Sequence, residues 1–413
     1  MSEIKRPLEG VKVLELATFI AGPCCARYLA DLGAEVVKVE SPKGDPLRYT
    51  AVNEGRPFGD PEDTSFCLEN AGKKCVTLNT KTEAGRAALE KMLAESDIFI
   101  TNWRQSPLKR AGLDYETLKV KYPKLVMGYI SGYGEKGPDK DLPGFDFTAF
   151  FARGGVMGTM YDVDSAPMTP IAGFGDHQVG LYLASGVIAA LYRARETGQG
   201  DQVTVSLLHT ALWDVALFLQ CNQYGDPSTQ FPISKKQIAN QLNVARKTKD
   251  NKWIQIAMPQ YDACYAKFMT EVLGREDLAD DPRYFPQTNL QKNLAEYCDL
   301  LDAEVGKYTL DEMVEKMNAA DLPYAVCQTW EQVLEDKQAW ASDALAKVTF
   351  PNGNQRTMVR TPVMFAETEL PAYERGGFLG EHTREVLAGL GYSEEQIEAM
   401  IAAGEATDVK RIG

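Results

Sequence analysis

The sequence predicts an α/β fold: a large domain on an open, mostly parallel sheet, followed by a smaller α+β domain. Three observations carry this. Through residue 207, short runs rich in Val, Ile and Leu alternate with helical stretches at the spacing of βαβ units. Residues 226–242 then form a polar, proline-bearing stretch that reads as a linker. The chain has 413 residues, 44% hydrophobic and 25% charged, which suits a globular protein with length for two or three domains.

Residues 11–16 (VKVLEL) read as the first strand. A loop at 17–22 leads into a helix opening at Pro23, where proline suits the first turn, and ending at the C-cap glycine Gly33. Residues 34–40 (AEVVKVE) form the second strand, and strand, helix, strand at this spacing makes the pair parallel. Residues 44–49 read as a turn, and the chain stays irregular to about residue 66. After a strand at 75–78, Thr80 and Glu83 make a capping box for a helix reaching residue 96. Residues 97–101 (DIFIT) form a strand with Asn102, Trp103 and Arg104 at its carboxyl end. Short helices, one through Arg110 and one at 115–121, precede a strand at 124–130. Open α/β sheets bind ligands beyond the carboxyl ends of their strands, so the loops at 17–22, 102–104 and 131–146 should share one rim.

The apolar run 179–191 reads as a buried helix, 201–207 as a strand, and a further helix continues to about residue 223. A second domain at about 244–329 opens with a hairpin-like pair around 249–252 and a strand at 253–258, followed by helices such as 310–319. Residues 346–363 read as two strands joined at Asn352-Gly353-Asn354, and 384–390 and 394–402 as closing helices. The large domain is Rossmann-like in layout. Its first βα loop, ATFIAGP, nevertheless lacks G-x-G-x-x-G, so a nicotinamide or flavin cofactor held that way is not expected.

A net charge of -14 argues against nucleic acid or an anionic membrane as partner. The opening MSEIKRPLEGVKVLEL has no signal-peptide pattern, and there is no run of about 18 uninterrupted apolar residues, so no membrane span and a cytoplasmic location are expected. The eight cysteines form no C-x-x-C and no zinc-like His–Cys spacing, so free thiols and no metal are expected. His177, His209 and His382 leave few members for a metal centre or a Ser-His-Asp triad.

Chemistry concentrates at 171–180, IAGFGDHQVG. Asp176 follows Gly173 and Gly175 and sits at or just before the first turn of the apolar helix. Free N–H groups and the positive end of the helix dipole favour an ionised carboxylate there. Two readings stand: an ordinary helix cap, or a nucleophile toward an activated acyl group approached over open glycine backbone. The loop at 131–146, with four glycines and two prolines, is either a functional loop or a solvated excursion. Lys38, Arg48, Lys73, Lys74, Arg104 and Arg110 fall near strand ends or their loops. They suit a ligand with several phosphates, and Trp103 suits a stacked base; solvated surface charge is the alternative.

Eight pieces spread over the chain match one family: VLELATFIAGP (13–23), GAEVVKVESPKGDPLR (33–48), NAGKKCVTLN (70–79), DIFITNWR (97–104), GYGEKGPDKDLPGFD (132–146), GFGDHQVG (173–180), TGQGDQVTVSLLHTAL (197–212) and HTREVLAGLGYSEEQI (382–397). Together they resemble family III CoA-transferases, the formyl-CoA and carnitine-CoA transferase family. The wording of 132–156 and of GFGDHQ is most similar to the branch acting on 2-hydroxy acids, such as cinnamoyl-CoA:phenyllactate and 2-hydroxyisocaproate CoA-transferases.

The resemblance implies that Asp176 is the nucleophile. It implies an acyl-CoA and a small carboxylic acid as substrates, with coenzyme A arriving as a thioester and no cofactor permanently bound. It puts Phe19, Ile20 and Ala21 in the adenine-side loop and Lys73, Asn102, Trp103 and Arg110 against CoA; Arg104 is added by position. Asp146, Gly175 and His177 are further possible active-site residues. It implies an interlocked homodimer, with 1–225 and 331–413 in the large domain and 226–330 in the small one with its linkers. Coupling to a 2-hydroxyacyl-CoA dehydratase in amino-acid fermentation follows. Racemases on this fold carry Gly-His-Asp where this chain has Gly144-Phe145-Asp146, and phenylalanine cannot transfer a proton. An acyl-CoA racemase, with His177 still able to titrate, and a non-catalytic CoA-binding protein are the alternatives.

Overall fold

The computed structural model describes residues 6–56, 59–163, 165–225, 231–369 and 371–412. Residues 226–230 of the expected linker lie outside them. The chain divides into two compact units, Met1–Val156 with Pro170–Val215 and Asp336–Gly413, and Met157–Thr169 with Ala216–Glu335.

In the first unit the elements run β1 (Lys12–Leu16), α1 (Ala21–Asp31), β2 (Glu35–Glu40), α2 (Thr64–Asn70), β3 (Lys74–Thr77), α3 (Glu83–Glu95), β4 (Ile98–Thr101), α4 (Gln105–Arg110), α5 (Tyr115–Lys121) and β5 (Val126–Ser131). A π-helical stretch, Asp146–Ala152, follows, then the single turn α6 (Val156–Thr159), whose last three residues belong to the second unit, and then α7 (Phe174–Thr197), β6 (Gln202–Ser206) and α8 (Leu207–Asp214). The six strands form one parallel sheet in the order β3-β2-β1-β4-β5-β6. Strand order therefore reverses between β1 and β4, and that is where an open sheet leaves a crevice beyond its carboxyl ends.

Alternation along the strands loads both faces. Phe99, Met127 and Leu14 point into a core shared with Leu89 and Leu93 of α3 and Leu118 of α5. On the other face a side chain on Gly128 would run into Ile100, Val187 and Leu183, so α7 packs there, and α1 packs against α7. The chain's last part returns to the sheet. Leu387 of α16 (Thr383–Gly389) and Ile397 and Met400 of α17 (Glu394–Ala402) join the first core. His382 Nδ1 accepts the Cys75 N–H at 3.1 Å and Thr383 Oγ1 the Thr77 N–H at 3.1 Å, which covers the edge strand β3.

The second unit holds a three-stranded antiparallel sheet of Ala245–Lys247, Trp253–Ile256 and Tyr324–Val326. Its core is rich in buried tyrosine: Tyr261, Tyr265, Tyr284 and Tyr297. Among the described residues, no helix is long and apolar enough to cross a membrane.

Local chemistry moved several boundaries. α1 begins at Ala21 rather than Pro23. Thr82, not Thr80, caps α3 by accepting the Gly85 N–H. The expected turn at 44–49 opens a 3-10 stretch, Pro46–Asn53, whose cap is Asp45. The single helix expected to about residue 223 breaks at Val215 into α8 and Ala216–Cys221. The strands at 346–363 are Leu345–Thr349 and Gln355–Val359, antiparallel, with Gly353 at φ 85° in the turn.

Candidate active site

At the β1/β4 reversal the two βα loops are tied together. The Thr18 N–H donates to Asn102 Oδ1 at 3.1 Å, and Asn102 Nδ2 donates back to the Thr18 carbonyl at 2.8 Å. Phe19, next along, has φ 62°, a left-handed conformation that is uncommon outside glycine. Asp45 holds it by accepting the Phe19 N–H at 3.1 Å. Asp45 is itself anchored by buried Lys38, whose ammonium lies 2.9 Å from Asp45 and 2.8 Å from Glu15. The buried charges beneath the loop thus fix a strained residue at the rim, where strain commonly marks function.

Loop 131–146 closes over this rim. Glu135 pins it by accepting hydrogen bonds from Gln105, Gln202 and Thr204 at 2.8–2.9 Å. The three loops and the start of α7 enclose a cavity of about 230 Å³. Its walls include Phe19, Ile20, Ala21, Asn102, Arg104, Lys140, Phe145 and Asp176.

Asp176 occupies the first turn of α7, three residues beyond the cap Gly173 at φ 88°. Asp146, buried at the start of the π-helical stretch, accepts the Gly173 N–H at 2.9 Å through Oδ2 and the Gly175 N–H at 3.1 Å through Oδ1. A methyl group on Gly175 would lie 2.4 Å from Asp146 Oδ1 and 2.4 Å from Phe150, so only glycine fits. Asp146, not Asp176, therefore caps the helix, which leaves the Asp176 carboxylate free to face the cavity. The expectation that the helix terminus keeps Asp176 readily ionised is reversed. Burial, with the nearby charges of Asp146 and Glu69, pushes its pKa up to about 7, against a smaller lowering by His177. A carboxyl group that titrates near neutrality at a cavity wall has the kind of perturbation that acid-base and nucleophilic groups of active sites show.

His177 turns the other way. Its Nε2 meets Glu69 Oε1 at 2.8 Å, and Glu69 raises the His177 pKa against the opposing effect of burial. Of the residues expected at the site, Phe19, Ile20, Ala21, Asn102, Arg104 and Asp176 come together in one cavity, with Asp146 and Gly175 directly beneath. Besides His177, three stand elsewhere. The Lys73 ammonium is buried against Glu15 at 2.7 Å, the Pro23 carbonyl at 2.8 Å and Asn70 at 2.9 Å, so it offers no charge to a phosphate here. Trp103 packs its ring against the sheet core. Arg110 lies at the end of α4 with its guanidinium on Ser106 and borders a separate hollow with Lys81, Arg86 and Lys109. Lys38 and Arg48 are likewise spent in buried ion pairs, Arg48 on Glu40. Sequence reasoning passed over Lys140, Asp45 and Glu69. Lys140 carried a signal, a cation inside the glycine-rich loop; the two acids carried none, because their partners are distant in sequence.

The chain as a whole, with this sheet and these loops, is similar to known proteins. Cinnamoyl-CoA:phenyllactate CoA-transferase of Clostridium sporogenes is 52% identical over 392 residues, 95% of each chain. (R)-2-hydroxy-4-methylpentanoate CoA-transferase of Clostridioides difficile is 43% identical over 390 residues, 94% of this chain and 97% of that one. The crystal structure of a CAIB/BAIF family protein from Brucella suis superposes with a TM-score of 0.80 at 29% identity, covering 94% of this chain and 100% of that one. The sequence profile of CoA-transferase family III matches residues 8–383, from ahead of β1, through the Asp176 turn, to the first residue of α16, and the chain belongs to that family of enzymes.

Proposed function

We propose that this enzyme moves CoA from an acyl-CoA, an enoyl-CoA above all, to an (R)-2-hydroxy acid such as phenyllactate or 2-hydroxyisocaproate, through an aspartyl-CoA thioester on Asp176. The observation that carries the proposal is Asp176 itself, facing the rim cavity while Asp146 takes over the capping of its helix. The substrates named in the two relatives, both 2-hydroxy acids, support the acceptor class. Phe19 and Phe145, 37% and 59% exposed and edge-to-face at 6.2 Å, give an aromatic or branched side chain an apolar surface to pack on.

The Asp176 carboxylate attacks the donor thioester carbon, the C–S bond breaks, and a mixed anhydride and CoA thiolate result. The thiolate attacks the Asp176 carbonyl carbon and releases the donor acid, leaving aspartyl-CoA. The acceptor carboxylate attacks that thioester, thiolate leaves again, and its attack on the acceptor carbonyl restores Asp176. One thioester replaces another, so no ATP is consumed. Arg104 and Lys140, the cations among the cavity walls, suit the phosphates of CoA, and backbone N–H groups of the glycine turn suit the developing oxyanions.

We further read the working enzyme as a cytoplasmic, interlocked homodimer without a permanently bound cofactor. Residues 1–225 and 331–413 build its large domain and 226–330 its small one. Its product would feed a 2-hydroxyacyl-CoA dehydratase in amino-acid fermentation. Phe145 in the Gly144-Phe145-Asp146 sequence disfavours racemisation, since it supplies no proton. Peptide mass spectrometry after incubation with acyl-CoAs alone and a hydroxylamine or borohydride quench tests the proposal. A modified Asp176 is expected, and Asp176→Ala should fold but lose transfer. An unmodified Asp176 across a broad acyl-CoA panel, in protein shown to bind CoA, would overturn it.

A further inference from the structure

Behind Asp176, three helices converge with donor atoms for which the transfer chemistry has no use. Cys24 lies in the first turn of α1, Glu69 at the end of α2, and His177 on α7. The Cys24 sulfur, a Glu69 carboxylate oxygen and a His177 ring nitrogen all lie within 4.8 Å of one another. His177 and Glu69 already touch at 2.8 Å. Cys24 Sγ points at α7 one turn beyond His177: it lies 3.0 Å from where a side chain on Gly180 would begin. Packing of α1 against both α7 and α2 therefore holds all three donors in place without a ligand.

Nitrogen, thiolate sulfur and carboxylate oxygen together form a donor set for zinc and its chemical neighbours. Tetrahedral zinc, with bonds of about 2.0–2.3 Å, spaces its ligand atoms about 3.3–3.6 Å apart. The His177–Glu69 pair must open by about half an ångström and Cys24, within 4.8 Å of both, must close by at most about 1.2 Å, within the reach of side-chain adjustment. Glu69 is buried, so a cation is its natural counter-charge. The His177 side chain is 42% exposed and Cys24 partly so, which leaves a path for an ion and an open coordination position for water.

We propose that Cys24, Glu69 and His177 form a binding site for a zinc-class divalent cation. Binding one Zn²⁺ displaces the Cys24 thiol proton to solvent; the proton between His177 and Glu69 moves to the other ring nitrogen of a neutral imidazole, or leaves to solvent from an imidazolium. A cation held one residue from Asp176 attracts its carboxylate and slows attack on the thioester. This inhibition, unlike the binding, rests on Asp176 being the nucleophile.

The test uses the full chain, stripped with a chelator and titrated with Co²⁺ as a spectroscopic stand-in for zinc. One equivalent should give a thiolate-to-cobalt charge-transfer band in the near ultraviolet and tetrahedral ligand-field bands in the visible, both displaced by Zn²⁺. Cys24→Ser should lose the charge-transfer band, keep the metal-free transfer rate and escape zinc inhibition. Glu69→Gln, checked for folding by circular dichroism, should weaken Co²⁺ binding by about tenfold or more. Absence of the charge-transfer band in the wild-type protein, or its persistence in Cys24→Ser, would overturn the site. The full spectrum without any zinc inhibition would support the site and count against the role given to Asp176 alone.

Discussion

Asp146→Asn tests the division of labour between the two aspartates. Asp146 is 5% exposed, and its two oxygens accept the Gly173 and Gly175 N–H groups at 2.9 and 3.1 Å. An amide of the same shape offers one oxygen and turns an NH₂ toward the other donor. One buried N–H loses its partner, at about 1–3 kcal/mol, and the remaining bond loses its charge, at about 1 kcal/mol more. The loss of about 2–4 kcal/mol should lower Tm by several degrees, at roughly 2–4 °C per kcal/mol for domains of 150–250 residues. If the first turn of α7 shifts by about 1 Å, misplacement of the proposed nucleophile Asp176 should cost about 10²-fold in kcat. Removing the Asp146 charge also takes away one of the causes that raise the Asp176 pKa, so the acid limb of the rate profile should move below about 7. Thermal unfolding and chromatographic measurement of CoA-ester exchange across pH, in chelator-containing buffer, check all three effects. Wild-type Tm, kcat and acid limb together would refute the assignment of Asp146 as the cap that frees Asp176.

Three further outcomes follow from the same geometry. In chelated wild-type enzyme, kcat/KM for the acyl-CoA should fall as pH drops through about 7, because in the proposed mechanism only the ionised form of Asp176 attacks; a flat profile through that region would exclude its pKa of about 7 from control of the rate. Lys73→Gln should destabilise the large unit by about 3–5 kcal/mol, since Glu15 loses a buried partner, yet leave KM for acyl-CoA nearly unchanged; a large rise in KM with intact stability would return Lys73 to the CoA site. Arg104→Ala and Lys140→Ala, both exposed at the cavity, should each raise KM for acyl-CoA by about fivefold, or ~1 kcal/mol, with kcat little changed, as initial-rate kinetics would read.

The order of strands and helices in the large unit was legible because it rests on local pattern. Val-, Ile- and Leu-rich runs of the right length, Gly33 closing α1 and the right-handed βαβ rule lead to a parallel sheet, and the loops at 17–22, 102–104 and 131–146 do line one cavity. Asp176 was legible for the same reason, a lone acid between a glycine approach and an apolar helix. What its environment does to it was not. The pKa near 7 depends on burial and on Asp146 and Glu69, which lie 30 and 107 residues away in the chain. The cations divide the same way. A lysine's type and strand position are read from sequence, but whether its ammonium meets water or a buried carboxylate is set by which strands become neighbours. Lys38 and Lys73 both end on Glu15, and among the described residues only Arg104 and Lys140 of the cations line the cavity. Local sequence by itself determined the elements and the residue types at the rim. Tertiary packing alone decided which charges cancel, which aspartate caps the helix and which is left at the cavity wall, because electrostatic partners are chosen by proximity in space rather than along the chain.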